Sequence, residues 1–401
     1  MVHDHGNAEN VLVLQGGGSL GAFSCGVFKA FAARGIKVDI IAGTSIGGVN
    51  AAIVAGSKGD RPEAALEQFW LELAESSVNL SPPWQWQQLP LPLPANDDID
   101  NDGSEKRSYY SHYYQKANVS LKHVMSFYSS AIYGNRKMFV PRWSPAYAST
   151  DPHYFQPARW TYIYDHSPLA RTLEKYIDYD KLRPGGKKNA RLIISAVNVL
   201  TAEPLTFDSS KQQITVKHLL GTSGYPLYGF PWVEVEKGLY VWDGSLLSNT
   251  PLREVIDSAP VNDKHVFIVE NYPKVIERLP QNLPEVYHRA RDIMFSDKTA
   301  HNVKMSKVIT HYLKFIEELY DIVEENVDPS KIDKEKLDSI RRKYQKIIYD
   351  HGAEIRKIAY ITREELYPYL YENTDFSLEG IKNLIKEGES KAKQVLQKLK
   401  L

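Results

Sequence analysis

Two short apolar runs near the N-terminus each end in a glycine-containing turn and each lead into a stretch with helical spacing. Val11–Leu14 runs into Gln15 and the glycines Gly16, Gly17 and Gly18. Phe23, Val27, Phe28 and Phe31 then recur at helical intervals from Leu20 to Ala33, before Gly35. Val38–Ala42 runs into Gly43-Thr44-Ser45-Ile46-Gly47, and Ile46–Ala55 follows as a helix of small residues. Apolar runs without alternation fit strands buried on both faces, the pattern of a parallel sheet covered by helices. Strand, helix, strand and helix in close succession predict an α/β fold with a mainly parallel sheet, built as three layers, α/β/α.

The chain continues with a predicted helix over Glu63–Glu75, after which its character changes. Ser81–Pro94 is rich in Pro, Trp and Gln, Asn96–Asp102 is acidic and turn-like, and Tyr109–Tyr164 is unusually aromatic. Residues 78–166 are expected to form an insertion or lid that shapes an entrance; the plainer reading is a second core with outward tyrosines. Pro168–Tyr176 reads as a helix. Leu192–Val197, Pro204–Phe207, Leu239–Trp242 and His265–Val269 read as strands. Beyond residue 283 the chain becomes helical and charged. Met305, Val308, Ile309, Tyr312, Leu313, Ile316, Leu319, Tyr320 and Val323 make one apolar stripe, and Leu337, Ile340, Tyr344 and Ile347 another. Two antiparallel helices joined near Asp328–Pro329 are expected, then a strand around Ile355, Ile358 and Tyr360, and an amphipathic helix over Phe376–Leu399. The division is an α/β domain over 9–282 and a mostly helical extension over 283–401.

Composition limits the partners. The 401 residues are 43% apolar and 24% charged with zero formal net charge, so no global field recruits nucleic acid. The single cysteine, Cys25, excludes an intramolecular disulfide and cysteine-based metal frameworks; its apolar helix favours a buried thiol. The opening MVHDHGNAEN lacks the order of a secretory signal, so a cytoplasmic placement is expected, with peripheral contact at the inner face of the membrane compatible with it. Ile40–Ser57 is apolar but broken by Gly43, Gly47, Gly48 and Asn50, which argues against a membrane span. Lys382, Lys386, Lys391, Lys393 and Lys398 on the last helix read as a solvated face in preference to a lipid-binding one.

Gly43-Thr44-Ser45-Ile46-Gly47 is a G-x-S-x-G between strand and helix, the setting of a nucleophile elbow. Gly43 and Gly47 give room for the turn, Ser45 is the nucleophile, and the next helix directs free N–H groups at developing negative charge. Gln15-Gly16-Gly17-Gly18-Ser19-Leu20-Gly21 exposes backbone N–H groups and suits an oxyanion hole or a phosphate cradle. Gly16, Gly18 and Gly21 also fit the dinucleotide fingerprint, but its acidic residue would have to be Asp39, which precedes the second strand. A Walker loop fails because no Lys-Ser or Lys-Thr follows.

A glycine loop after the first strand, then G-x-S-x-G, then Trp242-Asp243-Gly244-Ser245 and Asn249-Thr250-Pro251 resembles the patatin-like phospholipase family, over roughly residues 9–272. SAVNVLTAEPLTFDS and GFPWVEV look like a bacterial and archaeal branch with an added C-terminal region. The resemblance implies a Ser45–Asp243 dyad, supported in its motif by Gly244 and Asn249. An oxyanion hole of Gly16, Gly17, Gly18 and Ile46 would serve hydrolysis of a phospholipid, lysophospholipid or similar acyl donor, without metal or cofactor. Two positions depart from the family pattern: Leu20 stands where a cation is common, and Ser245 follows Asp-Gly in place of Gly or Ala. Other readings remain: a triad using His218, His265 or His288; an acyltransferase or thioesterase using the same serine; and a non-catalytic module binding nucleotide or lipid through the glycine loop. Self-association is compatible with the sequence.

Overall fold

The computed structural model describes residues 8–78, 125–187, 189–258, 262–296, 299–326, 333–351, 354–365 and 372–400. Most of the expected insertion, including Ser81–Pro94 and Asn96–Asp102, and the turn at Asp328–Pro329 lie outside the described residues.

β1 (Glu9–Leu14), β2 (Ile40–Gly43), β5 (Arg191–Asn198), β9 (Lys264–Glu270) and β10 (Ile355–Thr362) form the parallel part of the sheet, in the order β10-β9-β1-β2-β5. β6 (Pro204–Asp208) and β8 (Leu239–Asp243) pair antiparallel with β5, and β7 (Val233–Glu236) pairs with β8. A separate two-stranded pair joins β3 (Val140–Pro141) to β4 (Tyr164–Asp165). β1 and β2 are fully buried over Val11–Leu14 and Ile40–Gly43 because helices cover both faces of the sheet. On one face Leu12 and Leu14 meet α1 (Gly21–Ala33), α2 (Ile46–Ala55) and α3 (Pro62–Glu75). On the other, Val11 and Val13 meet Leu252 and Val255 of α6 (Leu252–Ser258) and Val303 of α8 (Thr299–Asn326). The result is the expected α/β/α arrangement.

The region after residue 283 contributes to this same core. β10 extends the sheet beside β9, and Ile381, Ile385, Ala392 and Leu396 of α10 (Leu378–Lys398) join the apolar cluster on the α1 face. α1 and α10 cross closely through Gly26 and Gly388: a Cβ on either would collide with backbone of the opposing helix. α7 (Leu283–Phe295) precedes α8, whose partner α9 (Lys334–His351) meets it through stacked Tyr320 and Tyr344, ring centroids 4.1 Å apart, and an Arg341–Glu324 ion pair at 2.8 Å. The apolar stripe of α8 is only partly covered. Leu313 is buried, but Met305, Ile309, Tyr312 and Leu319 stay exposed, and the core on this side of the sheet takes in Val303.

Candidate active site

The turns after β1 and β2 emerge side by side, since Leu14 pairs with Gly43 at the last rung. Asp243 ends β8, opposite Ala196 of β5, while Gly43 lies opposite Ile194 of the same strand. Three segments distant in sequence therefore meet at the carboxyl ends of the parallel strands, where α/β sheets open a crevice.

Ser45 is held at φ 57° and ψ −133°, a strained conformation for a residue with a side chain. Its N–H donates to Thr222 Oγ1 at 3.1 Å, and that hydroxyl donates to Ser195 O at 2.6 Å. Gly43 and Gly47 make the elbow feasible: a Cβ on Gly43 would strike the Gly47 backbone, and one on Gly47 would strike Leu14 O. Gly16 packs against Ser45 and donates its N–H to Asn249 O at 3.3 Å. Its donor is thus engaged, whereas the N–H groups of Gly17, Gly18 and Ile46 have no acceptor among the described residues. Gly17 and Gly18 take φ of 152° and 57°, a region where side chains are strained.

Asp243 is fully buried. Its Oδ1 accepts the Ser245 N–H at 2.8 Å and its Oδ2 accepts no hydrogen bond of normal geometry. Burial raises its pKa to about 6, and the neighbouring Ser45 hydroxyl and the Ser245 N–H partly oppose the rise. Asn249 accepts from the Ser245 hydroxyl at 2.9 Å and donates to Phe295 O at 3.1 Å, which pins this turn to α7. Gly244 lies against Ser195, where a Cβ would clash.

A cavity of about 240 Å³ receives Ser45 and Asp243 together with Gly17, Gly18, Ile46 and Asn249. The rest of its wall is mainly apolar and includes Met138, Phe139, Leu169, Phe230 and Phe376. The model of the family described as patatin-like phospholipase matches residues 12–256, which takes in the glycine loop, the elbow and Asp243. The chain belongs to the patatin-like phospholipase family. The activity of this family is lipid acyl hydrolysis. No curated protein matches the chain in sequence. Among solved structures it is similar to VipD from Legionella pneumophila, at 16% identity and a TM-score of 0.37, covering 98% of this chain and 67% of that one. It is similar also to the type III effector protein ExoU, at 11% identity and a TM-score of 0.28, covering 98% of this chain and 54% of the other.

The patatin-like site is completed by residues far beyond the matched segment. Asn373, Thr374 and Phe376 line the cavity, and the Asn373 carbonyl abuts Gly18 so closely that a Cβ there would not fit. Ser19 donates to Glu372 O at 3.0 Å, and the Glu372 carboxylate accepts from Arg291 at 2.9 Å and Arg363 at 2.7 Å. Gln15 spans β1 and β9: its Oε1 accepts the Asn271 N–H at 2.7 Å, and its Nε2 donates to Thr250 Oγ1 at 3.0 Å. Sequence reasoning missed Thr222, Asn271, Asn373 and His166. Only Asn271 carried a signal, as a polar residue just past a predicted strand.

The alternative site residues lie elsewhere. His218 is buried in a capping box, its Nδ1 accepting from Thr215 N at 3.0 Å, on α5 (Val216–Ser223). His265 sits near the start of β9, opposite the cavity end, and His288 is buried beside Glu365 at 2.7 Å. None lines the cavity. Asp39 stands before the first residue of β2, where it accepts from Asn10 N at 3.0 Å, at the wrong end of the sheet for a ribose contact. Cys25 is buried, which pushes its thiol pKa far up and leaves it unreactive.

Proposed function

We propose that this protein hydrolyses carboxylic esters of lipid acyl donors through a Ser45–Asp243 dyad. The observation that carries the reading is the meeting of a strained serine and a fully buried carboxyl in one largely apolar cavity. Ser45 Oγ attacks the acyl carbonyl while Asp243 takes its proton. The tetrahedral oxyanion forms against the N–H groups of Gly17, Gly18 and Ile46, at the N-terminus of α2. Asp243 returns the proton to the leaving alcohol, and an acyl-enzyme remains on Ser45. Water, deprotonated by Asp243, then releases the fatty acid. Gly16 acts here as a close-packing residue and not as a donor.

The glycine loop favours this chemistry over nucleotide binding, because Asn373 fills the space that a pyrophosphate would need beside Gly18. Transfer of the acyl group to another acceptor would use the same intermediate. No described helix is long and apolar enough to cross a membrane. Lipid would be met from the surface, where the exposed Leu227 and Leu247 flank the cavity residues Tyr228 and Ser245.

The test is hydrolysis of p-nitrophenyl esters across acyl lengths, with mass spectrometry after a fluorophosphonate probe. Wild type hydrolyses the esters and carries the adduct on Ser45; Ser45→Ala does neither while keeping its melting temperature. Hydrolysis that survives Ser45→Ala overturns the reading.

A further inference from the structure

The apolar part of the cavity contains one side chain out of keeping with its surroundings. His166 lies between β4 and α4 (Ser167–Tyr176), is 4% exposed, and lines the cavity with Leu169, Tyr164 and Phe230. Its ring packs on Phe230, with centroids 5.7 Å apart. It also lies beside Gly224, whose carbonyl accepts the Asp243 N–H at 3.2 Å, so it is close to the reacting pair. Nδ1 is buried without a hydrogen-bond partner, and no hydrogen bond joins the ring to a described side chain. His218 is equally buried but spends its ring on Thr215. A buried polar group without a partner costs free energy, and a cavity that retains one is completed by a ligand that supplies the missing bond.

The chemistry of that ligand group follows from the imidazole. Burial lowers its pKa to about 4, with Asp165 only partly opposing, so the ring is neutral at physiological pH. A neutral ring offers no charge to a phosphate or carboxylate. It offers one N–H and one lone pair, and a half-turn about χ2 exchanges the positions of its atoms within the same space. A hydroxyl, both donor and acceptor, satisfies either tautomer; a methylene satisfies neither.

We infer that His166 is a specificity residue that binds a hydroxyl group of the acyl donor, carried either on the acyl chain or on the alcohol portion. This rests on the ester-hydrolase reading of the same cavity. Selectivity would come from the cost of leaving the imidazole unpaired against a plain chain.

The experiment measures binding to Ser45→Ala, in which no turnover occurs, by thermal shift and titration. Decanoate is compared with 3-hydroxy- and 10-hydroxydecanoate, and methyl decanoate with monodecanoylglycerol. At least one hydroxylated ligand binds tenfold or more tightly than its plain counterpart, and the pair that shows it identifies the source of the hydroxyl. Adding His166→Phe, which keeps the packing on Phe230, brings that ratio to within twofold. His166→Gln, which keeps donor and acceptor, retains part of it and guards against a folding defect in the Phe variant. Equal affinities in every pair, or a preference that persists in a folded His166→Phe protein, overturn the inference. Absence of ester hydrolysis by wild type would instead remove the hydrolase reading, and the two failures are separately visible.

Discussion

Asp243 faces Ser45 with one carboxyl oxygen anchored and the other unengaged: Oδ1 holds the Ser245 N–H at 2.8 Å, and Oδ2 accepts nothing in regular geometry. The anchor fixes the orientation of the carboxyl, and the open oxygen keeps capacity for a proton. Catalytic hydrogen bonds are often loose before substrate arrives and tighten in the reacting complex. Asp243→Asn keeps an oxygen for the Ser245 N–H and removes the proposed base. Its kcat/KM for p-nitrophenyl esters is expected to fall by at least about a thousandfold, with the fold intact by circular dichroism, given the size of general-base effects at such sites.

The same carboxyl predicts the pH profile. Its pKa is raised to about 6, and only the ionised form accepts a proton. The kcat/KM of wild type therefore rises about tenfold per pH unit below 6 and levels off above it. A steady-state profile from pH 4.5 to 8 checks this; a plateau reaching down to pH 4.5 would remove Asp243 as the free base.

Stability moves in the opposite direction. The folded-state pKa lies above the unfolded value, so the native protein prefers the protonated acid. The corresponding stability is present below about pH 4 and is lost as pH rises through about 6. A shift of this size corresponds to about 3 kcal/mol. Asp243→Asn is expected to melt above wild type at pH 8 and to lose that margin towards pH 4, as differential scanning calorimetry would show.

Arg363 carries a different load. It is 6% exposed and donates to Glu372 at 2.7 Å and to Asn271 O at 2.9 Å. Arg363→Ala leaves a buried carboxylate with one cation fewer, which costs about 3–5 kcal/mol. Denaturant titration should show that loss. Because Glu372 and Asn373 back the glycine loop, activity should fall at denaturant concentrations where secondary structure persists.

Gly388 tests the packing of the last helix. A side chain there meets the Phe23 carbonyl of α1. Gly388→Val should destabilise by at least about 1–3 kcal/mol through overpacking, read as a lower urea midpoint.

The local parts of the design were legible in the sequence. Val11–Leu14 and Val38–Ala42 announce buried strands because no polar residue interrupts them, and the elbow around Ser45 is set by neighbours in the chain. Asp243 was found by motif resemblance, since nothing local distinguishes it from a turn residue. What stayed hidden depends on tertiary closure. Asn373 and Arg363 act on the glycine loop across more than 300 residues of chain, and no periodicity encodes such a meeting. The stripe on α8 announces its helix but not its packing: spacing tells which residues share a face, but not what covers that face. Chain order likewise named His218, His265 and His288, while the cavity took His166.

The contact between Asn373 and Gly18 has a consequence for synthesis. The loop leaves the ribosome well before the carbonyl that abuts it, since Gly18 and Asn373 lie far apart in the chain. Contacts so distant in sequence form late and slowly. A nascent chain thus carries its serine through the synthesis of all the residues between them without a finished pocket around it, and the cavity is completed only when that distant segment docks on the loop.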